Sequence, residues 1–296
     1  MFIEVEIELK ELLLKKPFVT TRGAKTSIHQ VFLSVNWKGY VGVGSSLLPP
    51  FSLAMKNQLL SIITEWNNLI RNRSPFEREF IIRELIKEGG TAFPFLITSL
   101  DIALFDLLGK SVNLPVYKLL GLKGDSNPVS SMSIGSLGEE ELIKEIKLLK
   151  EYPILKLKIA SFNELNYLQK IRTEYSGRIW VDGNCSLQPE DLEGAIHILE
   201  ENKVELIEQP IPPGNYKELK KIKGSSLVKV VADEDCAKPQ DLFLLTECVD
   251  VVNIKIHKTS GFSESLLMAR LAKKIGFEVM LGCKTESVLG VTAIQV

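Results

Sequence analysis

The sequence predicts an α/β protein in which a (β/α) barrel follows an N-terminal α+β capping domain. From about residue 129 onward, apolar β-branched runs alternate with amphipathic helical stretches, and most of these runs begin roughly 25 residues apart. That spacing accommodates one strand, one helix and two short loops. A chain of 296 residues is long enough for one barrel of about 250 residues or for two domains of ordinary size.

The N-terminal part predicts an antiparallel meander followed by helices. Alternation of apolar and polar residues and a turn at Lys38-Gly39 indicate three strands, at residues 2–9, 31–35 and 40–44. Helical pattern follows at residues 54–88 and 97–120. Gly, Asn and Pro then cluster at residues 121–128. We therefore predict a capping domain over residues 1–125 and a barrel domain over residues 126–296.

Seven barrel strands are predicted. The runs are short, apolar and rich in β-branched residues, and they lie at residues 129–134, 154–159, 179–181, 204–207, 228–231, 249–256 and 277–281. No eighth strand is predicted, because the residues up to Val296 continue as the helix after the seventh. An open barrel leaves unpaired strand edges. We expect that a partner chain covers the edge, as in a homo-oligomer, or that the barrel is truncated.

Composition favours a small-molecule partner. Lys and Arg total 36 against 37 for Asp and Glu, so the charge gives no reason to expect nucleic acid or an anionic membrane. The four cysteines have no CxxC spacing, and neither a secretory segment nor an apolar stretch long enough for a bilayer is present. We expect a cytoplasmic protein with reduced thiols. The absence of GxSxG, HExxH and P-loop motifs excludes the usual serine hydrolase, zincin and NTPase sites.

Three acids end consecutive predicted strands. Asp182, Glu208 and Asp233 each close an apolar run, and the carboxyl ends of parallel barrel strands are where such folds place their chemistry. A single acid there commonly caps the next helix, but three in succession are harder to explain in that way. Carboxylate oxygens suit Mg²⁺ rather than zinc. Because Glu234 and Asp235 follow Asp233, the third ligand is open among these three.

Three lysines accompany these acids. Lys156 and Lys158 are two apart on a strand and share a face, and Lys255 shares a face with Asn253 on a later strand. Amines inside a barrel are costly unless carboxylates or a function use them. The alternatives are a solvated edge strand for the first pair and a lysine that extends to solvent from a strand end for Lys255. Lys258 is predicted to be a loop residue.

These residues, in this order, resemble the enolase superfamily, and specifically its muconate-lactonizing-enzyme subgroup. That subgroup contains dipeptide epimerases, muconate cycloisomerases and o-succinylbenzoate synthases. The matching motifs span nearly the whole chain, at residues 16–18, 99–110, 114–121, 156–158, 182–184, 208–210, 232–234, 253–255 and 282–290. The resemblance implies a TIM-like barrel, a capping domain, a carboxylate substrate and Mg²⁺ as cofactor.

The resemblance also implies roles for individual residues. Asp182, Glu208 and Asp233 would hold Mg²⁺. Lys158 would be the base on one face of the substrate, beside Lys156, and Lys255 would be its counterpart on the other face. The substrate would be contacted by residues within the matching motifs: Asn184, Gly282, Cys283 and Glu286. Arg22, in a predicted capping loop at residues 19–27, is a candidate specificity residue, the alternative being a solvated loop arginine.

The expected activity is removal of an α-proton from a carboxylate substrate, giving an enediolate. Epimerisation or racemisation of a dipeptide or N-acylamino acid follows if the two lysines act on opposite faces. The alternatives are o-succinylbenzoate synthesis, in which a leaving group departs after the same proton is removed, and an inactive barrel that acts as a binding protein. The chain departs from the family pattern at Gly44-Ser45 and Cys283-Lys284 and in its lack of an eighth strand.

Overall fold

A computed structural model describes residues 2–20, 23–124 and 128–295. Its strands in chain order are β1 Glu4–Thr20, β2 Gly23–Trp37, β3 Tyr40–Leu48, β4 Met132–Ile134, β5 Ile154–Lys158, β6 Arg178–Asp182, β7 Leu206–Glu208, β8 Lys229–Ala232, β9 Val251–Ile254 and β10 Glu278–Leu281. Its α-helices are α1 Leu53–Ile70, α2 Arg78–Lys87, α3 Pro94–Val112, α4 Val116–Leu119, α5 Glu139–Leu149, α6 Tyr167–Glu174, α7 Leu192–Glu201, α8 Tyr216–Ile222, α9 Asp241–Leu245, α10 Phe262–Ile275 and α11 Val288–Ile294. None of the described helices is long and apolar enough to cross a bilayer.

The predicted antiparallel meander is confirmed as a sheet of order β1-β2-β3. The hairpin of β1 and β2 is longer than predicted, so most of the expected capping loop at residues 19–27 is strand. Arg22 lies outside the described residues, as do residues 125–127 at the predicted domain junction. The 1–125 and 126–296 boundary stays a prediction.

The predicted helix at 54–88 is divided into α1 and α2. The break has a local cause, because the Ser74 Oγ accepts a hydrogen bond from the Phe76 N–H at 3.3 Å and the Glu77 carboxylate accepts one from the Ser74 N–H at 3.2 Å. This capping box, with Pro75 directly after its first residue, starts a new helical turn, so α1 does not continue into α2.

The predicted barrel sheet is also confirmed. Seven parallel strands follow one another in the order β4 to β10, and the sheet curls so that β4 and β10 are its edges within the described ranges. Helices α5 to α10 cover the outside, with a large apolar core between them and the sheet. A smaller apolar cluster of Leu206, Val231 and Val251, with Trp180 and Met280 against it, fills the inside.

A buried ion pair of the capping domain also contacts the barrel domain. The guanidinium of Arg78 on α2 donates to the Asp101 carboxylate on α3 at 2.6 Å and lies 4.1 Å above the Phe105 ring. The same carboxylate accepts the backbone N–H of Ser263 at 3.2 Å, at the start of barrel helix α10. Asp101 is thus bonded to both domains.

The Arg78–Asp101 pair makes stability depend on pH. Burial raises the pKa of Asp101 above its ordinary value of 3.8, although Arg78 opposes the shift. The folded chain then keeps this proton to a higher pH than the unfolded chain. The stability that this proton contributes is fully present at pH values below the ordinary pKa of Asp101. It is lost as the pH rises through the raised pKa of the folded chain.

Replacing Arg78 with Met should therefore cost more stability in mild base than in acid. At about pH 8 the unpaired buried carboxylate should cost about 3–5 kcal/mol, whereas at about pH 5 partial protonation should reduce the loss. Urea unfolding of wild type and variant at both pH values measures the difference. The exposed Arg73, paired with Glu77, offers the control Arg73→Met, with a cost of about 1 kcal/mol or less. An equal cost of Arg78→Met at both pH values would contradict this account of Asp101.

Candidate active site

The strand register brings the sequence-predicted acids to one end of the barrel. Lys158 is level with Asp182, and Asp182 is level with Glu208 on the next strand. Asp233 directly follows β8. The three acids are 1%, 0% and 4% exposed respectively. Buried carboxylates are stable only with cationic or hydrogen-bonding partners, and the lysines provide them.

The turn after Asp182 is shaped by a close approach of two loops. The Gly183 N–H donates to the Glu208 carbonyl at 2.8 Å, and a Cβ atom at Gly183 would lie 2.7 Å from the Cα of Pro210. Only glycine fits there. The next residue, Asn184, has a positive φ of 42° and donates its N–H to the Asp182 carboxylate at 3.0 Å. The carboxylate of Asp182 is thereby turned toward the barrel mouth.

Lys156 and Lys158 bind the first two acids. The Lys158 amine donates to Asp182 at 2.5 Å and to the Oδ1 of Asn184 at 2.7 Å. The Lys156 amine donates to Glu208 and lies 3.5 Å from Asp182. Both amines therefore face the barrel interior, as their shared strand face predicts, and neither belongs to a solvated edge strand.

Lys255 and Lys258 bind the third acid from the other side. Lys255 donates to the Asp233 carboxylate and lies 4.0 Å from Glu208. The Lys258 amine donates to the Asp233 Oδ1 at 2.7 Å and to the Asp233 carbonyl at 2.6 Å. Burial would raise the pKa of Asp233, but the two ammonium groups outweigh it and hold the pKa below its usual range. Asn253 donates to Glu208 at 2.8 Å, which completes the line of contacts.

The electrostatics keep two of these lysines charged. Burial of Lys156 and Lys255 lowers their pKa, because a buried ammonium loses its water. The neighbouring carboxylates reverse this effect: Glu208 and then Asp182 at Lys156, and Asp233 and then Glu208 at Lys255. The pKa of each amine consequently lies above its ordinary value. The site is a compact alternation of buried acids and amines.

The three acids at residues 233–235 face different partners. Asp233 faces the lysines, whereas the Asp235 carboxylate accepts from the Gln209 side chain at 2.7 Å and from the Gly214 N–H at 2.9 Å. The pKa of Glu234 is raised by burial and by the charge of Asp233. Sequence reasoning missed Gln209, and it placed Lys258 in a loop without a role. The position of Lys258, three residues after Lys255, is the signal that could have found it.

The predicted substrate-contacting residues lie around this line of charges. Asn184 binds Lys158 as described. Gly282 leaves no room for a side chain, since a Cβ there would lie 2.2 Å from the Oδ1 of Asn253. Cys283 is exposed. The buried Glu286 carboxylate lies 3.3 Å from the Nδ1 of His257, whose pKa is lowered by burial.

The capping domain reaches the same end of the barrel. The Ser45 hydroxyl on β3 hydrogen-bonds the Ser287 hydroxyl at the start of α11, with 2.8 Å between the two oxygens. The Ser136 N–H, which follows β4, donates to the Val19 carbonyl of β1 at 3.3 Å. Both edge strands of the capping sheet, β1 and β3, therefore contact loops around the barrel mouth.

The donor set fits a hard divalent cation. All three acids supply oxygen ligands, which Mg²⁺ prefers, and each already contacts cationic groups. The buried Oδ1 of Asn253, next to Glu208, has no hydrogen-bond partner. Across residues 2–20, 23–124 and 128–295, no group of three or more His, Cys, Asp and Glu side chains is arranged to hold a metal ion. Lysine amines lie between the carboxylates instead, and the metal role of the acids stays a prediction.

Comparisons with known proteins identify the family. Residues 140–296 match the Enolase C-terminal domain-like family, and residues 2–121 match the Mandelate racemase / muconate lactonizing enzyme N-terminal domain. An L-Ala-D/L-Glu epimerase of Clostridium acetobutylicum is 31% identical, over 95% of this chain and 81% of the relative. An L-Ala-D/L-amino acid epimerase of Maribacter sp. is 27% identical, over 98% of this chain and 86% of the relative.

A solved structure agrees with these matches. The dipeptide epimerase of Enterococcus faecalis, complexed with Mg and the dipeptide L-Leu-L-Tyr, superposes with a TM-score of 0.89 at 27% identity. The superposition covers 100% of this chain and 86% of that one. With both domains matched in order and the fold shared throughout, the chain belongs to the enolase superfamily, in its mandelate racemase and muconate lactonizing enzyme group.

Proposed function

We propose that this chain is a Mg²⁺-dependent isomerase that epimerises dipeptides, or related N-acylamino acids, at the carbon next to their free carboxylate. One observation carries the proposal: Lys158 on β5 and Lys255 after β9 are separated by the three strands β6, β7 and β8. Strands β6 and β7 end in Asp182 and Glu208, and Asp233 directly follows β8. The two amines thus stand on either side of a line of acids. The relatives named as dipeptide epimerases support this substrate class.

The acids and lysines have separable roles in this proposal. Asp182, Glu208 and Asp233 would hold Mg²⁺, which when bound supplies positive charge opposite the negative charge that develops on the substrate carboxylate. With a cation held by these acids, the lysine amines would be released from their present carboxylate partners. Lys156 would contribute a further positive charge beside Glu208.

Proton transfer then needs one neutral amine and one ammonium group. Lys158 removes the α-proton from one face, so the C–H bond breaks and an N–H bond forms on the lysine. Lys255 delivers a proton to the opposite face of the same carbon. The product is the other epimer, and the reverse reaction exchanges the roles of the two lysines. Asn184, which binds the Lys158 amine, keeps that amine aimed at the mouth of the barrel.

The proposal is tested by α-proton exchange in D₂O. The purified chain is incubated with Mg²⁺ and separate panels of dipeptides, N-succinylamino acids and the o-succinylbenzoate precursor, and deuterium uptake is followed by NMR. We expect uptake at the α-carbon of the C-terminal residue of a dipeptide, with both epimers formed. Loss of water from the o-succinylbenzoate precursor would favour the synthase instead. The absence of exchange in every panel, at saturating Mg²⁺, would refute the enzyme proposal and favour a binding protein.

A further inference from the structure

Gln209 is a buried hydrogen-bonding residue that the proposed proton transfer does not use. It directly follows Glu208 at the end of β7 and is 1% exposed. Its φ of 36° lies in the left-handed region, which is unfavourable for a residue with a side chain. A strained backbone at a buried residue persists only if surrounding contacts hold it in place. The contacts of Gln209 must therefore stabilise this conformation.

The side chain of Gln209 uses both ends of its amide. Its Oε1 accepts the backbone N–H of Asp233 at 2.9 Å and that of Asp235 at 3.1 Å. Its Nε2 donates to the Asp235 carboxylate at 2.7 Å and to the Ile211 carbonyl at 3.1 Å. Three of these four bonds end on the segment that carries Asp233.

The backbone of Gln209 joins the neighbouring loops as well. Its N–H donates to the Val231 carbonyl of β8 at 2.8 Å, and its carbonyl accepts the Cys185 N–H, after β6, at 2.8 Å. Strand β8 ends at Ala232, so Asp233 lies beyond the regular ladder. The Gln209 side chain supplies the acceptor that a neighbouring strand would otherwise provide.

We propose that Gln209 is a positioning residue that holds Asp233 in the orientation needed to bind the divalent cation. The inference rests on the proposed function, in which Asp233 is a metal ligand. With Asp235 present, an amide suits this position, because the Asp233 and Asp235 N–H groups need an acceptor while the Asp235 carboxylate needs a donor. Methionine has a similar length but supplies neither group.

The direction of the Gln209–Asp235 bond can be reversed without a change in net charge. In the double variant Gln209→Glu with Asp235→Asn, the introduced carboxylate accepts both N–H groups, and the introduced amide donates to that carboxylate. The carbonyl oxygen of the introduced amide can still accept the Gly214 N–H. The Ile211 carbonyl loses its partner, but the bonds to the Asp233 and Asp235 N–H groups are kept, so the double variant should recover most of what a single change removes.

The experiment measures Mg²⁺ binding by titration calorimetry in the absence of substrate, together with hydrogen exchange at the Asp233 and Asp235 amides. Gln209→Met should weaken Mg²⁺ affinity about 10- to 100-fold, as changes to residues behind metal ligands do, and should speed exchange at both amides. The double variant should bind Mg²⁺ more tightly than Asp235→Asn alone. That second comparison tests the inference even if Gln209→Met does not fold.

Arg172→Met is the control for lost stability. Arg172 donates to the carbonyls of Gly177, Asn202 and Lys203, which precede β6 and β7 at the opposite end of the barrel. The variant should lose stability and keep its Mg²⁺ affinity. Comparable weakening of Mg²⁺ binding by Arg172→Met would show a general structural effect and overturn the positioning role.

The remaining outcomes separate the two proposals. Unchanged Mg²⁺ affinity in Gln209→Met, with binding by the wild type, would overturn the positioning role alone. A double variant no better than Asp235→Asn would do the same. A wild-type chain that does not bind Mg²⁺ would overturn the metal assignment and this inference with it.

Discussion

The variants Lys158→Ala and Lys255→Ala should each epimerise substrate about 10²- to 10⁴-fold more slowly than the wild type. This factor is the usual contribution of a positioned acid or base. Each variant keeps one amine, on one side of the line of acids. One variant should therefore still exchange the α-proton of one epimer with D₂O, and the other variant should exchange only the opposite epimer. Chiral chromatography gives the epimerisation rate, and NMR of each pure epimer gives the exchange rate.

The reciprocal pattern distinguishes two bases from one. Lys229→Ala is the matched control, because Lys229 begins β8 at the other end of the barrel and pairs with Glu278 on the surface. Its activity should equal that of the wild type. Full turnover in Lys255→Ala on every exchangeable substrate would contradict the two-base mechanism. Lys158 as sole base, with Lys255 as an electrostatic partner, would then be the better account, and this is the arrangement that a synthase needs.

Replacing Glu208 with Gln should weaken Mg²⁺ binding and activity together. Glu208 is the central acid, and its two oxygens accept from Lys156 and from Asn253. Glutamine has the same shape but no charge and only one acceptor oxygen. The affinity for Mg²⁺ should fall by about 100-fold or more. Changes to residues that only hold metal ligands in place already cost up to about 100-fold. Calorimetric titration and the initial rate at saturating Mg²⁺ measure the two effects.

Glu205→Gln is the control for this substitution. Glu205 lies just before β7, at the opposite end of the same strand, where it binds Arg178 at 2.7 Å and the Trp180 indole N–H at 2.9 Å. The contact with Arg178 lowers the pKa of Glu205 although burial opposes the shift, and loss of these contacts affects stability rather than chemistry. Mg²⁺ affinity should be unchanged in Glu205→Gln. The metal assignment would be refuted if Glu208→Gln bound Mg²⁺ as tightly as the wild type.

Several features of the site could be predicted from sequence because they depend on period and strand order. Side chains two apart on a strand share a face, so Lys156 and Lys158 were expected to point together, and their contacts with Asp182 and Glu208 agree. Acids that end successive parallel strands must share one end of the barrel. The number of barrel strands followed from the same spacing.

Other features depend on contacts between residues distant in sequence. Nothing in the local sequence of Asp233, Glu234 and Asp235 indicates which carboxylate faces the lysines. The contacts of Gln209 distinguish them, because its side chain binds the Asp235 carboxylate and the N–H groups of Asp233 and Asp235. The role of Lys258 is not apparent from the sequence, because its partner, Asp233, follows a different strand, β8. The break between α1 and α2 was overlooked although its capping box is local.

By itself the sequence determined the fold class, the seven strands and the end of the barrel at which the charged residues meet, because these follow from hydrophobic period and from the direction of parallel strands. Only the tertiary structure decided which acid each lysine binds, how Asp233 is held, and how Asp101 joins the two domains. Those contacts join residues on different elements. Their geometry is set by packing, and no local pattern in the chain encodes it.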